Sequence, residues 1–318
     1  MTTLDDLEAA ARLIAPYVPP TPQHCWPLLA QRAGCEVWVK HENHTPIGAF
    51  KVRGGLVYLE HLKREHPEAT GVIAATRGNH GQSIACAAGH LGLSAAIVVP
   101  EGNSREKNAA MAAQGGQLEV HGHDFQAALE HARARAATEG LVMVESFHPK
   151  LVEGVASYSL ELLRAVPDLD ALYVPIGLGS GICGALAARD ALGRKTQIIG
   201  VVAENAPCYA LSFTAGQPVS TNGADTFADG VACRVPVAEA VAAINGGVER
   251  IVQVGEGEMK AAMRAYFTDT HNVAEGAGAA PLAALLKEQD AMAGKTVGLV
   301  LSGGNIDRER YLEILADD

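Results

Sequence analysis

The chain has 318 residues, a length that favours two domains or one large one. Hydrophobic residues make up 48% of it and charged residues 19%, which is typical of a globular protein and argues against disorder. The net charge of −11 argues against a nucleic-acid partner, and no apolar run reaches the roughly 18 residues that a membrane span requires.

The first residues and the cysteines indicate the compartment. Residues 1–6 contain neither a basic segment nor an apolar stretch, so we predict no signal peptide. The six cysteines are scattered and form no CxxC pair, which is typical neither of a zinc site nor of a disulfide framework. We therefore expect a cytoplasmic protein with reduced thiols and no metal ion.

Along the chain, short apolar runs alternate with helical segments. Thr3 to Asp6 form a capping box that predicts a first helix, residues 36–40 alternate like a strand, and a helix is predicted from about Phe50. The later runs are rich in β-branched residues and are bounded by Gly or Pro, which predicts buried parallel strands and an α/β fold. These runs are residues 72–75, 95–99, 118–120, 141–144, 171–174, 197–202, 251–254 and 297–301.

The domain organisation follows from a missing linker. No segment between the predicted elements has the composition of a flexible linker. If the chain has two domains, we therefore expect one to be inserted within the other. Residues 70–146 contain four predicted strands of their own. We predict that they form a small domain, and that residues 1–69 and 147–318 form a large one.

One predicted helix begins with a lysine in an unusual setting. In Gly48-Ala-Phe-Lys-Val-Arg-Gly-Gly55, Lys51 follows a turn and an aromatic residue. It is either an ordinary solvated side chain or a Schiff-base lysine whose pKa is lowered by an apolar wall. The motif alone leaves both interpretations open.

Three other loops join a predicted strand to a predicted helix. Ala75-Thr-Arg-Gly-Asn-His-Gly-Gln82 concentrates donors suited to an anion; an ordinary N-cap is the alternative, but the segment has more donors than a cap alone needs. Pro175-Ile-Gly-Leu-Gly-Ser-Gly-Ile182 fits a phosphate; a dinucleotide fingerprint with Glu204 as its acidic residue is the alternative. Leu301-Ser-Gly-Gly-Asn305 could be a tight turn, but together the loops indicate one pocket at the carboxyl ends of the strands.

As an ordered set, these four motifs resemble the pyridoxal-phosphate enzymes of the tryptophan-synthase-β fold, in the branch of threonine and serine dehydratases and serine racemase. The resemblance runs over nearly the whole chain. It implies two open, twisted, mostly parallel sheets with helices on both faces, and pyridoxal 5′-phosphate in the cleft between two domains. It also implies a small-molecule amino-acid substrate, and we expect a homo-oligomer, most simply a dimer.

The resemblance assigns roles by position. Lys51 would carry the cofactor and move the Cα proton, Phe50 would pack beside the ring, Asn79 would hold the 3′-oxygen and Ser302 would face the pyridine nitrogen. The remaining cofactor contacts would be Gly177, Leu178, Gly179, Ser180, Gly181 and Glu275. The substrate contacts would be Thr76, Arg77, Gly78, Asn79, His80, Asp229 and Gly230.

Departures from the family pattern refine these expectations. Ala49 replaces the usual serine before Phe-Lys, and Leu178 and Ser180 interrupt a run of glycines. The usual divalent-cation site would begin at Glu204, but its later aspartate falls on Ala210, so no metal is expected. Arg77 stands where the racemase branch has a catalytic serine.

We therefore predict a pyridoxal-phosphate-dependent ammonia-lyase that eliminates water from a β-hydroxy-α-amino acid. Because an arginine beside the substrate carboxylate could bind a second carboxylate, the prediction favours 3-hydroxyaspartate. Threonine or serine, or a hydroxyectoine-pathway intermediate, are the alternative substrates. A nicotinamide-dependent oxidoreductase and a non-catalytic binding protein are the alternatives of another class.

Overall fold

The computed structural model describes residues 2–317 and contains two β-sheets. The larger sheet has the strand order β1-β2-β10-β7-β8-β9, and the smaller has the order β5-β4-β3-β6. The strands are β1 Gln23–Cys25, β2 Glu36–His41, β3 Gly71–Ala75, β4 Ser94–Val99, β5 Gln117–Val120, β6 Val142–Met143, β7 Ala171–Pro175, β8 Gln197–Ala203, β9 Arg250–Val254 and β10 Thr296–Leu301.

Helices alternate with the strands along the chain. They are α1 Leu4–Ile14, α2 Pro27–Ala33, α3 Lys51–Glu65, α4 Asn79–His90, α5 Arg105–Ala113, α6 Phe125–Glu139, α7 Pro149–Ala165, α8 Ser180–Ala191, α9 Cys208–Ala215, α10 Ala238–Gly247, α11 Glu256–Thr270, α12 Gly276–Lys287, α13 Gln289–Met292 and α14 Arg308–Ala316. Two 3₁₀ segments are Glu42–His44 and Asp229–Val231. No helix within residues 2–317 combines the length and the apolar character needed to cross a bilayer.

The predicted α/β class and the mostly parallel sheets are confirmed. Every strand pair is parallel except the antiparallel pairing of the short edge strand β1 with β2. The predicted capping box at the start of α1 is present, with Thr3 and Asp6 bonded to each other's backbone N–H groups. Each of the eight predicted apolar runs overlaps a strand, because continuous apolar runs can be buried on both faces.

The larger sheet is covered by helices on both sides. One face packs in a core that includes residues of α2, α11 and α12, and the other in a core that includes residues of α7, α8 and α10. The four strands of the smaller sheet all lie between residues 71 and 143. This placement supports the predicted insertion of residues 70–146, whose domain boundaries stay a prediction.

Candidate active site

Two of the motif-bearing loops are joined by their backbones. Because β2 and β10 are adjacent parallel strands, the loops that follow them emerge at the same edge of the sheet. The Phe50 N–H donates to the Ser302 carbonyl at 3.0 Å, and the Gly304 N–H donates to the Gly48 carbonyl at 3.0 Å. Ser302 is buried at the end of β10. The segment that presents Lys51 is therefore held by the Ser-Gly-Gly loop.

Asn79 connects the loop after β3 to the same place. Its Nδ2 donates to Glu275 Oε1 at 2.7 Å, and its Oδ1 accepts a hydrogen bond from Asn305 Nδ2 at 2.8 Å. The two bonds fix the orientation of the Asn79 amide. One hydrogen on Nδ2 is left for a further acceptor.

The glycine-rich loop after β7 forms a narrow cradle at the start of α8. Gly179 has φ +103°, a backbone conformation that residues other than glycine rarely adopt. A Cβ on Gly177 would lie 2.3 Å from the carbonyl oxygen of Gly230. The carbonyl of Leu178 accepts from the Tyr209 hydroxyl at 2.9 Å, which holds the loop in place, and backbone N–H groups at a helix start suit an anion.

Tyr158 links the cradle to the lysine loop. Its hydroxyl donates to the Gly181 carbonyl at 3.3 Å, and its ring meets the Phe50 ring edge to face, with 5.9 Å between centroids. Ser180, the first residue of α8, is buried in the same loop. The lysine loop, the Asn79 loop and the Ser-Gly-Gly loop are therefore joined by direct contacts, and the glycine-rich loop is linked to them through Tyr158.

Lys51 has an environment that suits a nucleophile or base. It is the first residue of α3, and its Nζ lies 5.1 Å from the centroid of the Phe50 ring. Burial lowers the pKa of Lys51 to about 8, against the opposing effect of the Glu275 carboxylate. A substantial share of Lys51 amines is therefore uncharged near pH 8, unlike an ordinary surface lysine.

Thr76 and His80 flank the junction between β3 and α4. The Thr76 hydroxyl accepts from the N–H groups of Gly78 and Gly81, at 3.0 and 3.2 Å, which shapes the loop and leaves its own hydrogen to donate. His80 is buried and its Nε2 has no hydrogen-bond partner within the described residues. Burial, helped by the charge of Lys51, lowers the pKa of His80 to about 3, so this imidazole is neutral at pH 7.

A buried charge network surrounds Arg53, two residues after Lys51 on α3. The Arg53 guanidinium contacts both oxygens of Glu42, at 2.7 and 3.0 Å, and both oxygens of Glu161, at 2.7 and 3.1 Å. The ammonium of Lys40 also bonds to Glu161, at 2.5 Å. Arg53, Glu42 and Lys40 are each at most 1% exposed. We call these four residues the rear network.

A second network faces the cleft between the sheets. Lys107, on α5, lies 3.0 Å from Asp229 Oδ2 and 3.6 Å from Glu275 Oε2, and Arg77 lies 3.7 Å from Asp229 Oδ1. We call these four residues the cleft network. They line a cleft of about 300 Å³.

Burial and charge oppose each other in the cleft network. Burial raises the pKa of Glu275, although Lys107 and Asn79 partly offset this. Burial alone would lower the pKa of Lys107, but the carboxylates of Glu275 and Asp229 outweigh it and raise that pKa above its usual value. The ion pair between Lys107 and Glu275 therefore stabilises both charges.

Lys107 and Asn305 are site residues that the sequence prediction did not include. Lys107 belongs to an ordinary polar helix, and nothing in its spacing marks it. Asn305 is the last residue of the Ser-Gly-Gly-Asn motif, so its position in that motif could have identified it as a site residue. Glu204, the acidic residue of the dinucleotide alternative, accepts a hydrogen bond from Lys287 at 3.2 Å.

Comparisons with known proteins cover almost the whole chain. A family described as pyridoxal-phosphate dependent enzymes matches residues 14–303. The L-threonine ammonia-lyase of Thermotoga maritima is 34% identical, over 96% of this chain and 76% of that protein. The L-threo-3-hydroxyaspartate ammonia-lyase of Saccharomyces cerevisiae is 32% identical, over 99% of this chain and 96% of that protein.

Two further comparisons concern structure and length. The solved structure of the processed form of threonine deaminase isoform 2 from Solanum lycopersicum is 28% identical with a TM-score of 0.90, and the match covers 100% of this chain and 96% of that one. The chain spans only 56% of the biosynthetic L-threonine dehydratase of Pasteurella multocida, to which it is 33% identical.

Proposed function

The chain belongs to the family of pyridoxal-phosphate-dependent enzymes, and we propose that it is an ammonia-lyase acting on β-hydroxy-α-amino acids. The observation that carries the proposal is Lys51 itself. The pKa of Lys51 is about 8. Its neighbour Phe50 packs against Tyr158, which contacts the glycine cradle, and the Phe50 N–H donates to the carbonyl of Ser302 in the Ser-Gly-Gly loop.

The residues present fit the family's cofactor. Side chains at Gly177 or Gly179 would fill the cradle, which favours a phosphate bound by backbone N–H groups. The unpartnered Nε2 of buried His80 and the spare hydrogen of Asn79 leave polar groups for a ligand beside Lys51. We assign Lys51 to covalent attachment, residues 177–181 to the phosphate, Asn79 to the ring oxygen and Ser302 to the ring nitrogen.

In the proposed mechanism, the cofactor supplies an electron sink for the Cα carbanion when bound. Neutral Lys51 takes the proton from Cα, for which its lowered pKa is suited. Backbone N–H groups at the start of α4, in the loop shaped by Thr76, hold the substrate α-carboxylate. Ser302 is an uncharged hydroxyl, so it does not favour a protonated ring nitrogen.

The overall reaction balances without an oxidant. The substrate loses a proton from Cα and hydroxide from Cβ, which together leave as water. The resulting enamine becomes an imine, and its hydrolysis gives a 2-oxo acid and ammonia. The resting network around Glu275 and Lys107 is already neutralised, so the cleft can accept a zwitterionic substrate without a large uncompensated charge.

Within this class, we propose a substrate with a second carboxylate, such as 3-hydroxyaspartate. Arg77 lines the cleft, and its contact to Asp229 is long and half-exposed, so a substrate carboxylate can replace Asp229 as its partner. The name of the Saccharomyces cerevisiae relative supports this choice, because the match covers nearly all of both chains. Threonine is the alternative, supported by the Thermotoga maritima relative.

The test uses the purified enzyme loaded with pyridoxal phosphate. We expect near-visible absorbance that disappears on borohydride reduction, and equal yields of ammonia and 2-oxo acid from 3-hydroxyaspartate, with smaller yields from threonine and serine. A coloured protein that releases no ammonia from any of the three would contradict the lyase. A colourless protein that binds a nicotinamide dinucleotide would support an oxidoreductase.

We further propose that the enzyme is cytoplasmic and works as a homodimer. All six cysteines lie in the described residues and are free, which fits a reducing compartment. Light scattering after gel filtration measures the dimer directly. A mass of one chain across the working concentration range would contradict it.

A further inference from the structure

A cluster of two histidines and a glutamate lies at the edge strand of the smaller sheet, and none of the three residues lines the cleft. Glu119 is on β5, His121 directly follows that strand, and His131 is on α6. One potential ligand atom from each residue lies within 4.8 Å of the others. We call these three residues the Glu119 cluster.

The Glu119 cluster is ordered before any ligand binds. His131 Nε2 lies 2.7 Å from Glu119 Oε1, so in the resting protein this nitrogen carries a hydrogen and donates to the carboxylate. The imidazoles of His121 and His131 are stacked, with 3.7 Å between centroids and 12° between planes. The arrangement brings the nitrogens of two imidazoles and one carboxylate together on neighbouring elements.

Surrounding charges favour a cation at the Glu119 cluster. Arg135 bonds to the other oxygen of Glu119, which fixes the carboxylate, and it also bonds to both oxygens of Glu139 through Nε and Nη2 at 2.7 Å each. With neutral imidazoles, the two carboxylates and one guanidinium leave a net charge of −1. Arg135 therefore orients the glutamate without cancelling the local negative charge.

We propose that the Glu119 cluster binds one divalent transition-metal ion, with three protein ligands and the remaining positions taken by water. Two imidazoles and a carboxylate suit Zn²⁺, Ni²⁺ or Cu²⁺, and not the all-oxygen preference of Mg²⁺ or Ca²⁺. This site does not depend on the proposed lyase activity.

Binding requires small, local changes. Ligand atoms of a tetrahedral ion are about 3.3 Å apart, so His131 and Glu119 separate slightly, and the imidazole hydrogen of His131 moves from Nε2 to Nδ1 by exchange with water, which frees the Nε2 lone pair. Because an imidazole lone pair lies in the ring plane, the His121 ring must also rotate out of the stack. His121 is exposed, and so the rotation displaces little protein. The bound ion would connect the edge strand β5 to α6.

The test titrates Ni²⁺ into the pyridoxal-phosphate-loaded enzyme without an affinity tag, in calorimetry, with Mg²⁺ as the comparison ion. We expect one Ni²⁺ per chain, a higher melting temperature, and no heat from Mg²⁺. His131→Ala and His121→Ala should each weaken binding at least tenfold. His123→Ala is the matched control, because His123 is an exposed neighbouring histidine outside the cluster, and it should bind like the wild type.

Three results would overturn the proposal. One is undiminished Ni²⁺ binding in both His131→Ala and His121→Ala, which would place the ion elsewhere. Another is an equal loss in His123→Ala, which would indicate unspecific surface histidines. The third is the absence of any Ni²⁺ binding by the wild type, which would leave His131 and Glu119 as a surface hydrogen-bonded pair.

Discussion

The rear network and the cleft network contain the same kinds of groups, two cations and two carboxylates, but in different surroundings. In the rear network Arg53 bonds both oxygens of both carboxylates, and three of the four residues are almost fully buried. In the cleft network two of the three ion-pair contacts are 3.6 Å or longer, and Arg77 is half-exposed. The carboxylate oxygens of the rear network are all bound by protein groups, whereas the longer contacts of the cleft network leave room for a ligand.

The two networks also differ in what they connect. Glu42, Arg53 and Glu161 all lie outside residues 70–146, so the rear network would lie within the predicted large domain. Arg77 and Lys107 lie within residues 70–146, and their partners Asp229 and Glu275 lie outside that range, so the cleft network would join the two predicted domains. The comparison teaches that similar ion pairs can serve rigidity in one place and exchange with substrate in another.

The largest expected effect comes from Lys51, whose pKa responds to Glu275 of the cleft network. Lys51→Ala removes the proposed base and cofactor attachment, so turnover should fall by about 10³-fold or more. Steady-state ammonia release measures this, and mass spectrometry after borohydride reduction should place the adduct on the Lys51 peptide of the wild type. An adduct on another lysine contradicts the assignment.

Breaking the rear network should chiefly reduce stability. Arg53→Met leaves Glu42 and Glu161 without their shared cation, and breaking a buried pair in this way costs about 3–5 kcal/mol. Urea unfolding measures the loss. Arg164→Met is the control, because Arg164 pairs with Glu8 at the surface and such pairs contribute about 0–1 kcal/mol. Similar losses of stability in both variants would contradict a special stabilising role for the rear network.

Breaking the cleft network should chiefly reduce activity, in a pH-dependent way. Lys107→Met removes the cation that lowers the pKa of Glu275, so this pKa rises further and Glu275 takes up a proton at higher pH. We expect kcat/KM to fall about ten- to a hundredfold near pH 6 and less near pH 9. Lys150→Met, at a surface pair with Glu153, is the control. A loss of equal size at all pH values would contradict this role.

The role of Arg77 in the cleft network can be tested by comparing substrates with one and two carboxylates. Arg77→Ala should lower kcat/KM for 3-hydroxyaspartate about tenfold more than for threonine or serine, because only the first has a second carboxylate. Arg105→Ala, at an exposed arginine on α5 paired with Glu309, is the control. If all three substrates fall equally, Arg77 does not bind a second carboxylate, whereas the lyase assignment is unaffected.

The smallest expected effect concerns the stability cost of Lys51 in the cofactor-free protein. Its pKa is about 8 when folded, against an ordinary value of 10.5, so between these pH values the unfolded chain holds more protons and stability rises with pH. Below pH 8 the cost is fully present, so Lys51→Met should be more stable than the wild type at pH 7, and by a smaller margin at pH 10. Urea unfolding at the two pH values measures both differences, and a gap that does not narrow contradicts the lowered pKa.

Much of the fold could be predicted because its signals are local. Apolar runs such as residues 171–174 are buried on both faces and need no partner to be recognised. The short strand Gln23–Cys25 was not predicted, since three residues with two exposed give no periodic signal. The glycine loops were found because their residues suit a special backbone, as Gly179 does.

The cleft network shows where prediction from sequence stops. Lys107 and Glu275 are 168 positions apart, and their pairing arises only from the way α5 faces the start of α12 across the cleft. Arg77 was predicted from its place in a motif, but its pairing with Asp229 depends on the same tertiary contact. Charges on polar helices look alike in sequence, whether they end in solvent or in a site.

The strand order also has a consequence for synthesis of the protein. Strand β10 lies between β2 and β7, so β2 waits for a partner that is made about 255 residues later. At roughly 5–20 residues per second, a nascent chain spends about 13–50 s with this gap in its sheet and two unpaired strand edges. The backbone hydrogen bond from Phe50 to Ser302 can form only after β10 has emerged, so the segment that presents Lys51 reaches its final position late in synthesis.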